Sequence, residues 1–144
     1  MGDLCTVGYE RRTVDELITT LTGAAVEVLV DVRLTPSSRR PGLSKKRLAM
    51  LLRAAGIDYL HLPQLGNPRD NRDAIRRGDE AAAARYRAVL GTPEGQAALG
   101  QLLRLATHRR VAVMCFEREA ADCHRSMVAD ALVEAGAPLR IVHL

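Results

Sequence analysis

Among 144 residues the chain has no tryptophan, one phenylalanine and three tyrosines. Its core therefore has to be built from Val, Leu, Ile and Ala, and the aromatic platforms on which single-stranded nucleic acids stack are nearly absent. Long apolar runs are missing too: no stretch approaches the roughly 20 residues of a bilayer crossing. The opening "MGDLCTVGYE" has neither a basic leader nor a long apolar segment, so a cytoplasmic protein without membrane attachment is expected. Cysteine is scarce, with an odd count of three at positions 5, 115 and 123. That is no disulfide framework, and reduced thiols are the expectation for an intracellular chain. There is no Walker loop and no G-x-G-x-x-G, so any phosphate recognition has to be built by other means. Nor is there an internal repeat, a low-complexity tract or an interdomain linker.

What is present reads as one globular domain spanning residues 1–144, a length that can bury a core around a single sheet. The net charge of +4 comes from 21 Lys and Arg against 17 Asp and Glu. This excess is enough to attract anions but small for a dedicated nucleic-acid binder.

Five short runs rich in β-branched residues predict strands: residues 4–9, 26–33, 58–63, 111–117 and 139–144. Between them lie segments with helical spacing. "TVDELITTLTGA" opens on a Thr cap, "SKKRLAMLLRAAG" has Ser44 as cap and Gly56 as terminator, and "TPEGQAALGQLLRLATHRR" starts at Thr92 with Pro93 in its first position. "DEAAAARYRAVLG" and "HRSMVADALVEAG" add two more, the last with Asp122 or Cys123 near its cap. Strands alternating with helices predict an α/β fold, a mainly parallel five-stranded sheet with helices on both faces. Two stretches, 34–43 and 64–79, are rich in Pro, Gly and Arg and read as long functional loops.

In such a sheet ligands bind outside the carboxyl ends of the strands. The strands deliver Gly8, Tyr9, Asp31, Arg33, His61, Cys115 and Glu117 there, and one shared crevice is expected. Asp31, inside the apolar run "VLVDVRL", needs a partner, because an unpaired buried charge costs several kcal/mol. Two roles stand side by side for it: holding a loop by pairing with an arginine or backbone N–H groups, or acting on a ligand directly. Arg33 and Arg39, with Ser37 and Ser38, suit an anion cradle. Cys123 and His124 open the last helix, whose free N–H groups favour a thiolate or a bound anion, and Arg125 adds charge of the same sign. Cys123 is thus expected to have the lower thiol pKa and to react before Cys115, which reads as a strand residue held up by burial. A Cys–His nucleophilic pair with His61 or His124 as base remains open. A metal site is not expected, since the cysteines are eight apart and neighbouring helical residues point about 100° away from each other.

Taken together, four motifs resemble the DUF488 family over nearly the whole chain. They are Thr6, Gly8 and Tyr9; Asp31, Arg33, Pro36 and Ser38; Tyr59, His61, Leu65 and Gly66; and Cys115, Glu117, Cys123, His124 and Arg125. One departure is Asn67, where the family pattern continues with a second glycine. The resemblance implies a compact α/β domain, and the family's name records that its activity is not established.

The candidate acid–base and nucleophilic residues are therefore Asp31, His61, Cys115, Glu117, Cys123 and His124. The candidate anion-binding residues are Thr6, Gly8, Tyr9, Arg33, Ser38, Arg39 and Arg125. The expected partner is a phosphorylated or nucleotide-like small molecule, with a non-catalytic nucleic-acid-binding or regulatory module using the Arg-rich loops as the alternative. The sequence names no cofactor and no oligomeric state.

Overall fold

The computed structural model describes residues 2–119 and 123–144. All five strands form: β1 (Gly2–Gly8), β2 (Val28–Asp31), β3 (Asp58–His61), β4 (Val111–Cys115) and β5 (Leu139–His143). They build one sheet in the order β3-β2-β4-β1-β5, and every pairing is parallel. The helices are α1 (Val14–Gly23), α2 (Lys45–Ala54), α3 (Arg72–Arg76), α4 (Glu80–Leu90), α5 (Pro93–His108) and α6 (Arg125–Glu134).

Every residue of β2 and of β4 is buried, as apolar strands covered on both faces must be. The two outer strands are partly exposed. Alternation along the strands sorts the core into two layers. Leu17, Leu21, Leu48 and Leu52 of α1 and α2 pack on Cys5, Val7, Leu29, Ala112 and Met114. On the other face Tyr86, Leu90, Leu102, Val128 and Leu132, from α4, α5 and α6, pack on Val28, Val30, Val111, Val113 and Cys115.

Right-handed crossovers explain the division, because connections that run toward β3 lie on one face and those that run toward β5 lie on the other. β2 and β4 are neighbours whose outgoing chains leave in opposite directions, so the loops after them part above the sheet and open a crevice.

Local chemistry follows the sequence at most ends. Thr13 and Glu16 form a reciprocal capping box on α1, and Thr92 caps α5 with Pro93 behind it. Three details differ. Ser44 stands at the N-cap of α2, but its hydroxyl binds Ser38 instead of the helix. Residues 64–79 are not one irregular loop: they hold two 3-10 turns, Pro63–Leu65 and Arg69–Asn71, and then α3. His124 is the N-cap of α6, and Asp122 lies outside the described residues.

Candidate functional site

Two polar clusters sit at the carboxyl end of the sheet, one on each face. On the α1 and α2 side, Asp31 is fully buried and completely satisfied. Its carboxylate takes Arg33 Nε at 2.9 Å and Nη2 at 2.7 Å, the Arg33 backbone N–H at 3.0 Å and the Tyr59 hydroxyl at 2.6 Å. Burial opposes the Arg33 charge, but the hydrogen bonds and charge of Asp31 more than offset it, and the guanidinium pKa is raised. Burial, then the Asp31 charge, pushes the Tyr59 phenol up as well.

Arg33 also donates to the Leu43 carbonyl at 2.8 Å and lies 5.2 Å over the Tyr9 ring. These contacts tie the 34–43 loop to the sheet. Asp31 is thus the loop-holding partner of Arg33, with no lone pair left over for moving a substrate proton.

On the α5 and α6 side the sequence expectation for the cysteines is overturned. The Cys115 and Cys123 sulfurs are bonded to each other, across a sequence separation of 8, and only Cys5 is a free thiol. Spacing along the chain misses the pair because Cys123, just before α6, lies against the end of β4. Arg125, wholly buried, turns its guanidinium to Cys115: Nη1 donates to Sγ at 3.1 Å and to the Glu117 carbonyl, and Nη2 to the Arg118 carbonyl at 2.8 Å. Its Nε has no acceptor among the described residues. Burial lowers the Arg125 pKa to about 10, so the group remains charged at neutral pH.

His124 stands edge-on to Tyr86 with ring centroids 5.1 Å apart. Its Nε2 lies 3.1 Å from the Val32 carbonyl and its Nδ1 3.5 Å from Cys123 Sγ. A carbonyl only accepts, so Nε2 carries the proton and Nδ1 presents a lone pair to the sulfur. Burial lowers the imidazole pKa to about 4, which keeps the ring neutral. The Arg125 backbone N–H also reaches Cys123 Sγ, at 3.5 Å, as a helix start implies. The side-chain guanidinium, however, contacts Cys115 and not Cys123.

Buried Glu117 completes this cluster, with Oε2 3.7 Å from Cys115 Sγ and Oε1 3.2 Å from Arg76 and 3.8 Å from Arg72. Cys115, Cys123 and His124 bring three ligand atoms within 4.8 Å of one another. Helical angles do not hold Cys123 and His124 apart, because Cys123 precedes the helix. These residues could hold a soft cation only as thiolates, after the sulfur–sulfur bond is reduced.

Other candidates fall elsewhere. His61 gives Nε2 to the Arg33 carbonyl at 2.7 Å and lies on β3, with β2 between it and Cys115, so it is not the base of a Cys–His pair. Thr6 is buried in mid-strand and bonds His143 of β5, away from the rim. Gly8 makes room for protein: a Cβ there would lie 1.7 Å from the Glu117 carbonyl oxygen. Ser38 accepts from the Arg40 backbone at 3.1 Å and staples its own loop. Arg39 is exposed on a shallow surface beside Ser37, Ser38 and Arg69. Of the expected cradle of Arg33, Arg39, Ser37 and Ser38, Arg33 and Ser37 line one cavity, while Ser38 and Arg39 lie with Ser37 on the shallow surface beside it.

Between the two long loops lies a cavity of about 180 Å³, lined by Tyr9, Arg33, Leu34, Thr35, Ser37, Asn67, Arg69 and Arg72. Arg69, Arg72 and Arg76 belong to the Arg-rich 64–79 stretch that the sequence offered only as phosphate contacts for a nucleic acid, because it reads as a loop. Their i, i+3, i+7 spacing is the signal that would have put them on one face. Asn67 accepts from the Asn71 amide at 3.0 Å, and its backbone is not left-handed. The loops meet at Gly66, where a Cβ would fall 2.6 Å from Leu34 Cα.

A larger open depression of about 570 Å³ lies at the amino ends of the strands. There Arg110 and Arg140 are neutralised by Asp3, and Arg109 by Asp58.

Fold and site together define a doubly wound, all-parallel α/β domain with a buried cysteine pair beside an arginine-lined cavity. The chain belongs to the DUF488 family, described as a domain of unknown function, whose model matches residues 13–132. No curated protein and no solved structure matches it significantly. No helix among the described residues is long and apolar enough to cross a membrane.

Proposed function

We propose that the domain binds a small phosphate-bearing molecule in the cavity between the 34–43 loop and the 67–72 segment. The observation that carries this reading is the lining: three guanidinium groups, three hydroxyls and an amide, with no carboxylate among them. Arg33 is held by Asp31, which makes it a rigid wall, while Arg69 and Arg72 are exposed and can turn their forks to an anion. The concave shape suits a small ligand better than a nucleic-acid backbone, which a flat basic surface would fit. Arg72 approaches Glu117, which in turn approaches Cys115, so a ligand seated here lies one side chain away from the sulfur pair.

The test is thermal unfolding with inorganic phosphate, nucleoside monophosphates and nucleoside diphosphates. A ligand at a hundred times its Kd adds about 2.7 kcal/mol, a rise of several degrees in Tm. Arg69→Gln combined with Arg72→Gln should abolish the rise without changing the Tm of the free protein. No rise with any of these anions, or an undiminished rise in the double variant, would overturn the reading.

A further inference from the structure

We propose that Cys115 and Cys123 are a redox-active pair that reduces small hydroperoxides, with Cys115 as the attacking thiolate and Cys123 as the resolving thiol. The redox pair does not depend on the phosphate reading, although Arg72 lines that cavity and also approaches Glu117.

The surroundings of the two sulfurs differ in kind. Cys115 Sγ receives a charged N–H from Arg125 at 3.1 Å, and this favours the thiolate. Glu117 opposes it at 3.7 Å, but that carboxylate is itself held by Arg76 and approached by Arg72, so positive charge prevails locally. Cys123 Sγ faces the lone pair of a neutral imidazole at 3.5 Å, an arrangement that accepts the S–H of a thiol. The contacts therefore favour Cys115 as the attacking sulfur and Cys123 as the resolving one.

Burial sets the size of the oxidant, for Cys115 is 1% and Cys123 2% exposed. A bulky disulfide has no approach to either sulfur, whereas hydrogen peroxide is nearly as small as water.

The chemistry balances in two steps. The Cys115 thiolate attacks one peroxide oxygen, the O–O bond breaks, and the departing alkoxide or hydroxide takes a proton from solvent, leaving Cys115 as the sulfenic acid. Cys123 then attacks Cys115 Sγ, and its proton goes to the departing hydroxide, which leaves as water. Two thiols and one hydroperoxide give one disulfide, one alcohol or water, and a further water. The end state is the bonded pair seen here.

The full-length chain is reduced with dithiothreitol in denaturant, refolded free of it and treated with hydrogen peroxide. Intact mass and peptide mapping then follow all three cysteines. The expected result is loss of two hydrogens and a Cys115–Cys123 bridge, with Cys5, a buried thiol that burial pushes up in pKa, left reduced. Cys123→Ser should stop the reaction at a sulfenic acid on Cys115 that a cyclic 1,3-dione captures, and Cys115→Ser should leave Cys123 unoxidised. Arg125→Lys keeps a charge but loses the fork, and should slow the first step about tenfold, the effect of one unit in thiol pKa on the thiolate fraction. If that variant does not fold, the two serine variants still decide. Capture of the sulfenic acid on Cys123 in Cys115→Ser, or oxidation of Cys5 as fast as the pair, overturns the proposal. So does a reduced protein that holds zinc and resists peroxide, because the pair is then a metal site.

Discussion

At the scale of single residues, Asp31 shows how a carboxylate survives inside an apolar strand. Four donors reach its two oxygens, so its full burial costs little, and Arg33 beside it gains the counter-charge it needs. Removing one member is another matter. Asp31→Asn leaves Arg33 buried without its anion and should lose roughly 3–5 kcal/mol in denaturant unfolding. Tyr59→Phe, which deletes one hydrogen bond to a charged acceptor, should lose only about 1.5–3 kcal/mol. Equal losses would mean that Asp31 is held mainly by Tyr59. The need for a partner is legible in "VLVDVRL", but the partner's identity depends on the strand ending at Asp31, which lets the chain turn and bring Arg33 back two residues later.

At the scale of elements, helix starts were the most legible feature, because caps act over three or four residues and report a local fact. Ser44 is the instructive exception. Its hydroxyl accepts from the Ser38 N–H at 3.0 Å and donates to the Ser38 carbonyl at 3.1 Å, closing the 38–44 loop instead of the helix. At an ordinary N-cap, exchange of serine for glycine costs a few tenths of a kcal/mol. Here Ser44→Gly should cost about 1–2 kcal/mol, because two loop hydrogen bonds go with it. Chemical denaturation separates the two values, and a loss of only a few tenths would return Ser44 to the role of a plain cap. The α3 segment was invisible for the opposite reason: five residues are too few to show a helical period.

At the scale of the whole molecule, His124 links the α6 start to the sheet through the Val32 carbonyl, and that link gives stability a pH dependence. Burial lowers its pKa from 6.5 to about 4. The unfolded chain therefore takes up a proton near pH 6.5 that the folded chain refuses until about pH 4, so stability is full above 6.5 and falls as pH drops through this window. The loss reaches at most roughly 3 kcal/mol. Asp3, lowered from 3.8 to about 2 chiefly by its hydrogen bonds to Arg140 and Arg110, loses its contribution only in a lower window. Urea unfolding at half-unit steps from pH 7 to pH 4 should show the decline, and His124→Gln, which keeps a donor for Val32, should flatten it. An unchanged slope in that variant would move the cause to other groups.

The sequence by itself determined the five strands, most helix starts, the parallel α/β class and the family, because period, caps and chain order are properties of neighbours along the chain. It also placed the polar residues at the carboxyl ends of the strands, since strand direction follows from chain order. Which of them meet was decided by the tertiary structure. Alternation sends Asp31 and Cys115 to opposite faces of adjacent strands, and the loop after β4 returns Cys123 to Cys115 and Arg125 to the same sulfur. Two of the three cavity arginines, Arg69 and Arg72, come from a segment whose helical turns are held against the rest of the fold through Tyr86 on the Leu65 carbonyl and Asn71 on the Ala82 carbonyl. Such contacts join residues far apart in the chain, and no local pattern encodes them.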